Sequence, residues 1–246
     1  MTVRLKLPLD TIFIKTSTDA EPRPGSSPGF TLMEILLAIF IFSIMVTTIF
    51  GSYGAVFHNT DALEESLASH EMAKICLNRM TADLNAIYLT QPPRYKIPGF
   101  NDPPDPYRVV GDLPYNTSIE TSRLRFTSFS QVQTNRNMPP GISEVIYYVQ
   151  ATEEDMFVLR RADRLFPYDT FEESESDPVL CEQIKSLTFT FYDREGDDYE
   201  TWNSDAEENG YATPAAIRIS LEIGDELRSQ RFETMVYLPV YREKIG

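Results

Sequence analysis

From Phe30 to Phe57 the chain runs for 28 residues with one formally charged side chain, Glu34. A run of about 18 or more mainly apolar residues is long enough to cross a bilayer as a helix. A carboxylate near the centre of such a helix costs about 2.5–3.5 kcal/mol on insertion scales. Glu34 is five residues into the run, so the full cost need not apply. Lys15 and Arg23 lie close before the run, and no basic residue follows until Lys74. That bias, softened by Asp19 and Glu21, puts residues 1–29 in the cytoplasm and the bulk of the chain on the other side.

Two readings of Glu34 follow from its neighbours. Thr31-Leu32-Met33-Glu34 has the S/T-x-x-E spacing of a capping box, which ties off a helix start. A first-turn carboxylate is also favoured by the helix dipole. The wider pattern, Gly29-Phe30-Thr31-Leu32-Met33-Glu34 ahead of an apolar run, resembles the processing signature of type IV pilins and of the pseudopilins of type II secretion. The resemblance implies that a membrane-embedded prepilin peptidase cuts between Gly29 and Phe30 and then methylates the new amine of Phe30. It also implies that Glu34 pairs with the terminal amine of a neighbouring subunit during assembly. Two opposite charges that leave water together attract more strongly than in bulk solvent, and methylation leaves the amine cationic. One glutamate can cap in the monomer and pair in a filament.

An ordinary secretory signal carries its apolar core upstream of the cleavage site and loses it. Here residues 1–29 are polar and contain Pro8, Pro22, Pro24 and Pro28, so cleavage would leave the hydrophobic part in place. This leader is longer than many in the family, which would fit a start codon downstream of Met1. The resulting plan is a cleaved cytoplasmic leader (1–29), a transmembrane helix (30–57), an amphipathic helix (58–91) and a periplasmic head (92–246). The expected location is the bacterial inner membrane, with a single pass.

Composition narrows the partners. Residues 30–246 retain 18 of the 22 basic and 34 of the 37 acidic side chains, a formal charge of −16. So acidic a surface repels nucleic acid and anionic headgroups, and no nucleic-acid partner is expected. About 190 residues follow the span, enough for one domain with a real core. The two cysteines, Cys76 and Cys181, permit a disulfide in an oxidising compartment, but two do not make a framework. The favoured reading is a pair of small buried apolar residues.

The phase of the chain gives its elements. Leu63, Leu67, His70, Ala73, Leu77, Met80, Leu84 and Ile87 recur at three- and four-residue steps, one face of an amphipathic helix. Asp61, Glu64, Glu65, Lys74, Arg79 and Asp83 fall largely off it. No proline interrupts Phe30 to Gln91, which predicts one very long helix. Seven prolines between 92 and 114 make regular structure improbable there, and Tyr95, Phe100 and Tyr107 are candidates to pin that stretch down. Beyond it the period changes to two. Strands are predicted around Leu124–Thr127, Val145–Val149, Phe157–Arg160, Leu187–Phe191, Ile217–Ile223 and Phe232–Leu238. The fold class is α+β, pilin-like: a long helical spine packed on an antiparallel β-rich head.

Sites of other chemistry are sparse. There is no phosphate-binding glycine loop and no C-x-x-C, and His70-Glu71 lacks the second histidine of H-E-x-x-H. His70 falls on the helix stripe and reads as a packing or interface residue. The acidic loop from Asp193 to Glu208 could hold calcium, but it departs from EF-hand spacing and reads first as a solvated hairpin loop. No cofactor, metal site or enzymatic activity is expected.

In the head, Cys181-Glu-Gln-Ile-Lys-Ser-Leu-Thr-Phe-Thr-Phe-Tyr-Asp, an acidic loop with Trp202, and Pro214-Ala-Ala-Ile-Arg-Ile-Ser-Leu-Glu-Ile follow in that order. This order resembles the J-type minor pseudopilins of type II secretion. The resemblance implies a subunit at the pseudopilus tip that primes assembly for export of folded proteins. Its implied partners are I-type and K-type minor pseudopilins, the H-type subunit as a further candidate, and the prepilin peptidase. The alternative is a minor pilin of a type IV pilus or competence system.

Overall fold

The computed structural model describes residues 29–114, 118–130, 141–152, 156–166, 168, 170–225 and 228–245, and within 54–66 the helical backbone only. Most of the 1–29 leader and the side chain of Leu63 therefore lie outside the described residues. The chain divides into two compact units, Met1–His58 and Asn59–Gly246. Helix α1, Leu32–Asn85, is the first element.

In the first unit, α1 contains the segment Leu32–Tyr53, 22 residues with a mean hydropathy of 2.4 and none of its most apolar window buried. Its serine and threonine hydroxyls are satisfied within the helix. Ser43 donates to the Ile39 carbonyl, Thr47 to Ser43, Thr48 to Met45 and Ser52 to Thr48, each at 2.8 Å. Bonding back to the preceding turn leaves no hydroxyl seeking a partner in an apolar medium. Among the described residues this is the one helix long and apolar enough to cross a membrane.

In the second unit, the last turns of α1 bury Ala73, Cys76, Met80 and Leu84 completely. Their spacing of three and four places them on one face. Leu67 stands exposed, so the buried stripe is shorter than the periodicity predicts. The helix also stops earlier than Gln91. Ser128 Oγ donates to the carbonyls of Asp83 (2.8 Å) and Ala86 (3.1 Å), and the Phe129 N–H donates to Ala86 (2.9 Å). These bonds satisfy carbonyls that a helix end leaves open. The next residues, Ile87–Tyr88, form strand β1.

The remaining strands are β2 (Val110–Asp112), β3 (Arg123–Ser128), β4 (Ser143–Ala151), β5 (Phe157–Leu165), β6 (Val179–Cys181), β7 (Ile184–Tyr192), β8 (Asp198–Tyr199), β9 (Trp202–Asn203), β10 (Ala216–Gly224) and β11 (Ser229–Tyr237). One sheet has the order β6-β5-β4-β3-β2-β9, with β1 also on β3; the other has the order β11-β10-β7-β8. Every named pairing is antiparallel. All six predicted strands are present. The proline-rich stretch is not wholly irregular, since β2 lies within it. Of its three candidate aromatic pins, Tyr95 is buried and Tyr107 half-buried, while Phe100 is fully exposed.

One core joins α1 to both sheets, with Leu124, Phe126, Tyr147, Leu159, Leu187, Phe189 and the alternating Ile217, Ile219, Leu221 and Ile223. A smaller cluster, Ile146, Tyr148 and Ala162 packed by Phe171, lies on the other face of β4 and β5. It explains why β4 is buried on both faces rather than alternating. Cys76 and Cys181 are both buried, as expected of small apolar residues, but they are not free thiols: they form a disulfide with Cα atoms 6.4 Å apart. Packing β6 against the helix brings the two within bridging distance.

Candidate processing and assembly site

Thr31 immediately precedes α1 and caps it. Its Oγ1 accepts the Glu34 N–H at 3.3 Å, and Glu34 Oε2 accepts the Thr31 N–H at 3.3 Å. This reciprocal pair is the capping box that the spacing predicts. Only Oε2 is occupied; among the described residues Oε1 accepts no hydrogen bond. Phe30 is 82% exposed, and a Cβ built on Gly29 would meet nothing within 4 Å. The fold places no steric demand for glycine at 29. Any such demand has to come from a macromolecule that reads this segment. Gly29 and Phe30 are exposed just ahead of the helix, and Glu34 lies in its first turn with one carboxylate oxygen committed to Thr31.

The head holds charged clusters of its own. Asp83 is fully buried, although its charge reads as a surface position. Its Oδ2 accepts from Arg161 Nε at 2.6 Å and from the Tyr147 hydroxyl at 2.5 Å. Its Oδ1 accepts from Arg79 Nη2 at 2.9 Å and Ser130 Oγ at 2.6 Å. Arg161 also pairs with Asp163 at 2.8 Å. Burial and the neighbouring Asp83 charge push the Tyr147 hydroxyl far above its ordinary pKa, so it stays a donor. The helical phase already placed Asp83 three residues after Met80. Its partner Arg161 follows Leu159 at strand spacing, but nothing in the sequence joins positions 78 residues apart.

A second cluster fastens the proline-rich stretch. Arg242, 1% exposed at its side chain, donates to the carbonyls of Tyr211 (2.8 Å), Thr90 (3.1 Å) and Ser204 (2.5 Å) and pairs with Asp105 at 3.3 Å. Its guanidinium stacks 3.4 Å above the Tyr95 ring. The Tyr95 hydroxyl donates to Asp205 Oδ1 at 2.9 Å.

The acidic loop read as a possible calcium site is committed elsewhere. Asp193 accepts the N–H groups of Gly196 and Asp197 at 3.0 Å each and pairs with Lys244 at 3.1 Å, which also reaches Glu195. Asp205 faces Arg242 and Tyr95. No group of three or more metal-ligating side chains is assembled among the described residues. His70 sits edge-on to Phe232, 5.3 Å between ring centres, as a packing residue.

No protein-family model matches the chain, and no curated protein matches it. Among solved structures the chain is similar to a type IV-like pilin from Thermus thermophilus, with 7% identity and a TM-score of 0.41, over 69% of this chain and 95% of that one.

Proposed function

We propose that this chain is a minor pseudopilin of the J type, a non-enzymatic tip subunit that primes a type II secretion pseudopilus in the bacterial inner membrane. The observation that carries the reading is the motif Gly29-Phe30 with Glu34 in the first turn of an exposed 22-residue apolar segment. Glu34 keeps one oxygen for the helix cap and leaves the other for a cation. In hydrocarbon, the methylated amine of a neighbouring subunit is the partner such a carboxylate calls for. The I-type and K-type subunits are the proposed partners of the head.

Amino-terminal mass spectrometry of membrane-extracted protein tests processing. The expected mature terminus is N-methylated Phe30, and Gly29→Ala is expected to accumulate precursor. Because a methyl group at 29 meets open space, any such loss reports recognition rather than folding. Glu34→Ala should leave cleavage intact and abolish incorporation into the filament. The capping loss alone, about 1 kcal/mol, would hardly register in so long a helix. An intact leader in the membrane-extracted protein would overturn the reading. Co-purification with I-type and K-type pseudopilins separates it from a type IV pilus role.

A further inference from the structure

The face of the seven-stranded sheet turned away from α1 collects arginines. Antiparallel register sets Arg125 opposite Ile146, Glu144 opposite Arg164, and Tyr148 opposite Arg160, while Arg123 stands opposite Asp112. Most of these charges are compensated. Arg123 makes a two-point contact with Asp112. Arg125 and Arg164 share the single buried carboxylate of Glu144, with Arg164 3.6 Å away. Arg160 donates to the carbonyls of Glu175 and Asp177 at 2.9 and 2.6 Å.

Arg108, just before β2, is the exception. Half-buried, it makes only a 3.5 Å contact to the Asp105 carbonyl, and among the described residues it pairs with no carboxylate. Burial, and then the like charge of Arg125, lower its pKa against the opposing pull of the Asp205, Glu144 and Asp105 carboxylates, none of which forms an ion pair with it. On this face Arg123, Arg125 and Arg164 share two carboxylates, Asp112 and Glu144, so three guanidinium groups stand against two paired acids in a chain of net charge −15. Arg108 and Arg125 line one open cavity of about 430 Å³ with Pro106, Phe166, Tyr168 and Phe171. Phe166 is 66% exposed and edge-on to Tyr168. Phe171 is held between Arg123 and Arg164, 5.5 and 6.0 Å from its ring centre.

We propose that this cavity docks an acidic, aromatic-bearing segment of a partner polypeptide, with a carboxylate held between Arg108 and Arg125. A guanidinium offers a planar fork that matches a carboxylate. Arginine and aromatic side chains together are the usual carriers of binding energy at protein interfaces. The volume falls in the range of organic ligand sites, well beyond a single small anion. The proline and aromatic walls offer apolar surface, which a bare anion cannot use and a peptide side chain can.

Calorimetric titration of the full chain in detergent micelles tests this. The probes are the blocked peptide acetyl-Glu-Phe-Asp-Glu-Phe-amide, its neutral counterpart acetyl-Gln-Phe-Asn-Gln-Phe-amide, and sodium sulfate. Saturable one-to-one binding of the acidic peptide is expected, at least about tenfold (~1.4 kcal/mol) tighter than the neutral one. Arg108→Gln should weaken it by a similar factor, and so should Phe166→Ser, an exposed change that leaves the core alone. Should Arg108→Gln fail to fold by circular dichroism, Phe166→Ser decides. Absence of acidic-peptide binding, equal binding of the neutral peptide, indifference to these variants, or displacement by sulfate as effective as by peptide would each overturn the proposal.

Discussion

Burying the carboxylate of Asp83 takes more than one cation, and it has four partners: Arg79 from the preceding turn of α1, and Arg161, Tyr147 and Ser130 from the head. Arg161 is only 2% exposed at its side chain and divides its charge between Asp83 and Asp163, so losing Asp83 leaves it half-compensated in a buried site. Removing one partner of a buried pair costs about 3–5 kcal/mol, because the other charge is stranded, whereas an apolar replacement of both is often tolerated. Asp83→Ala is therefore expected to destabilise the protein by about that amount, and Arg161→Met in the same chain to restore much of it. Urea unfolding of the two variants measures this; additive losses would show that the pair is not coupled. Gly111 makes a different demand. A Cβ there would sit 1.9 Å from Cζ of Phe191, since β2 approaches that ring across the core. Gly111→Ala should cost about 1–3 kcal/mol by overpacking, seen as a lowered midpoint in the same assay.

Elements were legible where one physical signal dominated. The alternation Ile217, Ile219, Leu221, Ile223 reappears as the inward face of β10, and Ala73, Met80 and Leu84 as the inward face of α1. Two-residue strands such as β1 and β9 were not, because they exist only through partners far along the chain. Asp83 differs from the expectation that it falls off the stripe: three residues after Met80 and four before Ile87, it shares the phase of the buried face and is fully buried. Of the acidic segment Asp193 to Glu208, read as one solvated loop, only the part between β7 and β8 is a hairpin turn; the rest holds β8, β9 with the buried Trp202, and the start of a 3-10 turn at Glu207. Burial works against the charged form of Asp193, but Lys244 and the N–H of Asp197 outweigh it and hold the carboxyl below its usual pKa. A depressed folded-state pKa contributes stability that is present above the unfolded value, about 3.9, and lost as pH falls through the lower folded one. Stability should accordingly decline on the acid side of that value. Asp193→Asn should flatten this part of the curve while leaving the neutral-to-alkaline part parallel to the parent, as followed by thermal melts across pH.

At the scale of the whole molecule, the Cys76–Cys181 disulfide ties α1 to β6 across 105 residues of sequence. Closing a loop of that size restrains the unfolded chain, with about 2–5 kcal/mol of stabilisation typical for native bridges. Such bonds persist in oxidising compartments and are rare in the cytosol. The bridge therefore bears on topology independently of the basic residues ahead of the span. If residues beyond the span face the periplasm, protein denatured without reductant should show no thiol reactive to a maleimide, and after reduction should show two; denaturation is needed because both cysteines are buried. The Cys76→Ala/Cys181→Ala variant should melt roughly 4–20 °C lower, given about 2–5 kcal/mol lost and about 2–4 °C per kcal/mol for a domain of this size. Two cysteines reactive on denaturation alone, without reductant, would place this region on the reducing side. That result would remove the premise on which export, processing and tip assembly all depend.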